Sequence, residues 1–69
     1  MTMYEREVQK ACDRFNELHK GYEMTFDPIN TYPGWIVVYV SDTEMFNSCM
    51  YRFSTFGALR SWVEGVVMD

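Results

Sequence analysis

The chain has one histidine, two cysteines and four scattered glycines in 69 residues, and these scarcities exclude a good deal. One histidine with two distant cysteines makes no zinc site of the usual four-ligand kind. Two cysteines are too few for the disulfide framework of small secreted domains, so Cys12 and Cys49 are expected reduced, in or near the core of a cytoplasmic protein. A single Cys12–Cys49 disulfide is the alternative. Gly21, Gly34, Gly57 and Gly65 are too dispersed to form a phosphate-cradling loop. Neither a basic stretch followed by an apolar one at the start nor an Asn-x-Ser/Thr sequon occurs, which argues against a secreted chain. The longest apolar run, Trp35 to Val40, is strand-sized and far short of a membrane span.

Basic residues are missing from one whole region. Between Gly21 and Tyr51 there are four acids (Glu23, Asp27, Asp42 and Glu44) and no lysine or arginine, while the rest balances at six acids against six bases. The entire net charge of −4 therefore sits in the middle of the chain. Such a surface repels phosphate backbones and attracts basic partners, so no direct nucleic-acid binding is expected.

What is abundant is apolar and aromatic material, 48% and 17% of the residues. That supply argues for an ordered fold, although a chain of this size buries only about 60% of its unfolded surface. Residues 2–20 read as a helix. Thr2 with Glu5 fits a capping box, and Tyr4, Val8, Ala11, Cys12, Phe15 and Leu18 recur on one side. Glu7–Lys10, Arg14–Glu17 and Glu17–Lys20 are candidate ion pairs on the other side, and Gly21 suits the left-handed stop. The period then becomes two. Tyr22, Met24 and Phe26 alternate with polar residues to give a half-buried strand. Asp27-Pro28 ends it, and Asn30 to Gly34 reads as a turn. A second strand spans Trp35–Val40, a polar turn Ser41–Glu44, and a third strand Met45–Phe53, antiparallel to the second because the link is so short. Ser54 or Thr55 caps a last helix running to about Val67. Its apolar side is Phe56, Leu59, Trp62, Val63, Val66 and Val67.

The fold class expected is α+β: one domain over residues 1–69, helix, three-stranded antiparallel meander, helix (αβββα), with both helices on one face of the sheet. Tyr22, Met24, Phe26, Ile36, Val38, Val40, Cys49, Tyr51 and Phe53 then face the helices. Trp35, Val37, Tyr39, Phe46 and Met50 fall on the other face. Three explanations suit that second set: strand two is central with both faces covered, the face binds a second copy, or it binds a foreign partner.

Catalysis finds no support in the residue types. His19 and Cys12 share the first helix, and seven residues at ~1.5 Å rise separate them by about 10 Å along the axis. That is too far for a nucleophile–base pair. Asp27, Asp42 and Glu44 lie in or beside turns, where solvation is the default. No enzyme activity, cofactor or metal is expected.

Two resemblances accompany this reading. The order helix, three strands, helix resembles a double-stranded-RNA-binding domain. That family contacts phosphate through a lysine-rich start to its last helix, where Thr55 to Arg60 has one base. Separately, Phe53-Ser54-Thr55 followed by Leu59, Ser61, Trp62 and Gly65, in a small acidic α+β chain, resembles some phage-encoded anti-CRISPR proteins. That resemblance implies stoichiometric occlusion of a nuclease complex without chemistry. The function expected is a small protein-binding inhibitor or regulator acting on a basic, nucleic-acid-binding protein in the host cytoplasm. The alternative is a structural or regulatory homodimer using the open apolar face, followed by a degenerate RNA-binding domain. Trp35, Tyr39, Phe46 and Met50 are the expected apolar anchors, with Tyr32, Asp42 and Glu44 as a polar rim.

Overall fold

A computed structural model describes residues 2–45 and 47–68. The first helix, α1, spans Met3–Leu18. Its capping box forms as the sequence requires: Glu5 N–H donates to Thr2 Oγ1 at 3.1 Å, and Thr2 N–H donates to Glu5 Oε1 at 3.0 Å. Val8, Ala11, Cys12 and Phe15 are buried along it. The helix ends two residues before the expected position, with His19 as its C-cap and Gly21 at φ 96°. Leu18, expected in the apolar stripe, is 42% exposed. Glu7–Lys10 and Arg14–Glu17 pair at 3.3 and 3.6 Å. Glu17–Lys20 does not, because Lys20 lies beyond the last helical turn.

The strands β1 (Tyr22–Phe26), β2 (Ile36–Asp42) and β3 (Ser48–Phe53) form one antiparallel sheet in the order β1-β2-β3. The β2–β3 hairpin turns later than the polar stretch suggested, and Met45 lies in the turn rather than in β3. Asp42 decides this. Its Oδ1 accepts from Glu44 N–H at 2.8 Å and Met45 N–H at 3.1 Å, and its own N–H donates to Asn47 O at 2.9 Å. An aspartate that satisfies the backbone two and three residues on makes a turn. The last helix, α2, spans Phe56–Gly65, capped by Thr55, whose Oγ1 accepts from Ala58 N–H at 3.0 Å. It stops at Gly65; Val66 is extended, and Val67 is 82% exposed instead of continuing the apolar side.

Both helices cover the same face of the sheet. Val8, Cys12 and Phe15 of α1 and Leu59 and Val63 of α2 form one core with Met24, Ile36, Val38 and Val40. Full burial of each large side chain contributes about 1.5–3 kcal/mol. Trp62 seats α2 on the sheet, its ring 4.8 Å from Tyr51, 5.8 Å from Phe53 and 5.9 Å from Phe15. Arg14 ties the helices together through Glu64, with Nε to Oε2 at 3.1 Å and Nη2 to Oε1 at 3.2 Å. The disulfide alternative is not formed: both cysteines are free, Cys12 buried as expected, whereas Cys49, expected in or near the core, is exposed because it lies outside the helix-covered cluster.

Candidate interaction face

The strand register sorts side chains onto the face that the helices leave open. Its rows are Glu23–Ser41–Ser48, Thr25–Tyr39–Met50 and Val37–Arg52, with Asp27 next along β1. The expected apolar set is thinned in two places. Val37 is only 4% exposed although it lies on this face. The segment between β1 and β2 folds back on it: Thr31 Oγ1 accepts from Val37 N–H and donates to Val37 O, each at 3.1 Å. Thr31 is itself 7% exposed, a buried hydroxyl with both of its bonds made. Phe46 lies outside the described residues.

Trp35 and Met50 remain open, at 40% and 55% exposure. Trp35 is positioned by a tight turn in which Tyr32 and Trp35 exchange backbone hydrogen bonds of 3.0 and 2.8 Å across Pro33-Gly34. Proline sets the first turn position, and Gly34 takes the positive φ of 88° that the second requires. The Arg52 guanidinium lies over the Trp35 ring, 4.8 Å from its centroid. Together with the end of β3 they border a groove of about 570 Å³. Tyr39 is half-buried, and its hydroxyl donates to Asp27 Oδ2 at 3.4 Å. Asp27 also accepts from the Asn30 side-chain amide at 2.7 Å and from the Ile29 and Asn30 N–H groups at 3.0 and 3.2 Å. The Asn30 amide is the main cause holding its carboxyl below the usual range, followed by those backbone donors and Tyr39.

The expected site residues are thus brought together only in part. Tyr39 and Met50 are cross-strand partners, and Tyr32 accompanies Trp35 at one end of the sheet. Asp42 and Glu44 sit at the opposite end, in the hairpin turn, so they do not ring the anchors. Asp42 is committed to that turn. Two residues of the face escaped the sequence reading, Asp27 and Arg52. Both carried a usable signal, since period two places Asp27 with Glu23 and Thr25, and Arg52 with Met50.

Elsewhere, a cleft of about 340 Å³ between the helices is bordered by Lys10, Arg14 and Arg60 together with Glu7 and Glu64. Lys10 and Arg14 are already paired across it with those acids. The Cys12 thiol is pushed up to about 12 by burial, with the neighbouring Asp13 carboxylate adding to the effect. His19 tilts against Phe15, ring centroids 4.6 Å apart. Among the described residues, no group of His, Cys, Asp and Glu could hold a metal ion, and no helix is long and apolar enough to cross a membrane. No family model matches the chain, and no curated protein or solved structure matches it.

Proposed function

We propose that this chain is a small non-enzymatic protein-binding module, an inhibitor or regulator that works by covering a surface of its partner. The observation carrying this reading is the sheet face free of helices, where Trp35, Tyr39 and Met50 are exposed or half-buried beside Arg52 and Asp27. Tryptophan, tyrosine, methionine and arginine are the residues enriched at interface centres. The partner fitting this face offers an apolar recess for Trp35 and Met50 and basic groups toward Glu23 and Asp27. A nucleic-acid-binding protein of the host cytoplasm suits that description and is the class of target that the anti-CRISPR resemblance implies.

The test is quantitative capture by the tagged chain from host lysate, with Trp35→Ala and Met50→Ala proteins alongside. One partner at near-stoichiometric yield, lost with both variants while circular dichroism stays unchanged, is the result expected. Equal capture by folded variants would move the site elsewhere.

A further inference from the structure

The two edges of the sheet are treated differently. At β1 the outward backbone groups of Met24 are taken by Asn16 of α1: Met24 N–H donates to Asn16 Oδ1 at 2.7 Å, and Asn16 Nδ2 donates to Met24 O at 3.5 Å. At β3 nothing comparable exists among the described residues. Antiparallel pairing alternates, and the residues of β3 that face β2 through their backbone are Cys49, Tyr51 and Phe53, in line with the Asp42–Asn47 bond that closes the hairpin. The N–H and C=O groups of Ser48, Met50 and Arg52 therefore point away from the sheet. Among the described residues no group hydrogen-bonds to them. Natural edges are blunted by charges, proline or bulges. This one has no proline, and its lone charge, Arg52, is drawn onto Trp35.

We propose that the β3 edge is the pairing edge for a second copy of this chain, the two β3 strands running antiparallel about a two-fold axis at Met50. That register matches Met50 with Met50 of the other copy and Ser48 with Arg52, so every outward backbone group of the strand finds a partner. Charge favours a copy in this orientation. Glu23 and Asp27, two of the four acids in the middle of the chain, lie at β1 on the far side of the sheet and are kept from the seam. Antiparallel pairing also brings the acidic hairpin turn of each copy, Asp42 and Glu44, to the Arg52 end of the other. The helices leave room. Trp62 of α2 lies over Tyr51 and Phe53, whereas Cys49 is exposed, so α2 covers only the C-terminal part of β3. In the pair the two α2 helices stand at opposite ends of the seam. Because such a two-fold is normal to the sheet, both open faces point the same way and form one continuous bivalent surface.

Mass by light scattering or sedimentation from micromolar to millimolar concentration tests this without any foreign partner, so its outcome is independent of the capture experiment. A monomer–dimer equilibrium is expected. Met50→Ala keeps it, since the backbone carries the pairing. Met50→Pro removes only an N–H that the fold does not use, so the chain stays folded. It loses one cross-seam bond per copy, on the order of 30-fold in affinity. Met50→Lys, at a side chain already 55% exposed, sets like charges opposite each other and also weakens the pair. A bismaleimide of about 8 Å span should link Cys49 to Cys49 of the second copy in the wild type and Met50→Ala, and not in Met50→Pro. A monomer at every concentration, or a dimer equally strong in Met50→Pro, overturns the proposal.

Discussion

Asn16, in the fourth turn of α1, holds the backbone of Met24 with its side-chain amide, the shorter bond being 2.7 Å. One residue thereby fastens the helix to the sheet and closes the β1 edge at its midpoint. Asn16→Leu leaves the Met24 N–H facing an apolar group and should cost about 1–3 kcal/mol. Asn16→Asp keeps the acceptor and loses only the longer bond, so its cost should be smaller. Urea midpoints at unchanged slope would establish the ranking.

Thr31 supplies from a loop the pairing that a strand residue would otherwise give to Val37. Thr31→Val keeps the shape and strands the Val37 N–H, while Val37 O keeps its bond from Asp27 N–H at 3.1 Å. A loss of about 1–3 kcal/mol is expected, against a much smaller one for Thr31→Ser. If the two variants melt together, the hydroxyl is not what secures this loop.

The two thiols should differ sharply in reactivity. Cys49 is exposed on β3, while Cys12 is fully buried and its thiol is pushed up to about 12. A chromogenic disulfide reagent at neutral pH should therefore titrate one thiol quickly and the second only on unfolding, since the thiolate is the reactive form. Cys49→Ser should abolish the fast phase.

Acid should destabilise the fold through three carboxylates. Glu5 is lowered by the Thr2 backbone N–H and hydroxyl, Asp27 chiefly by the Asn30 amide, and Glu64 chiefly by its hydrogen bond with Arg14. Each ionises more readily in the folded chain than in the unfolded one. Their stabilisation is thus present in full above about pH 5 and is lost as pH falls through the lower folded values. Denaturant titrations from pH 7 to 2.5 should show this decline. Added salt should weaken the exposed Arg14–Glu64 part most, and Arg14→Ala should remove that part of the acid dependence.

The elements themselves are written locally. Thr2 and Glu5 are three residues apart, Pro33-Gly34 is a turn by its own chemistry, and Tyr22, Met24 and Phe26 alternate. Each therefore declares its structure through neighbours in the chain, as does the Thr55 cap. The helix-facing set was legible for the same reason, because a period of two fixes faces once the strand exists, except that Cys49 is exposed where the helices do not reach. The ends of elements were less so: α1 stops at Leu18 because His19 leaves the helical conformation and its C=O accepts from Tyr22 N–H, and β3 begins at Ser48 because Asp42 takes the turn's N–H groups.

The interaction face needed distant parts of the chain to meet. Val37 reads as an open-face residue until Thr31 folds over its backbone, and Asp42 reads as a rim charge until the hairpin turn consumes it. The pairs Arg14–Glu64, Asn16–Met24 and Trp35–Arg52 depend on how α1, α2 and the strands pack, and none is implied by spacing along the chain. Composition and periodicity therefore specify the αβββα order and its core. Which edge is closed, which stays open and which side chains share a surface follow from register and helix placement, because those contacts form between residues that the sequence keeps apart.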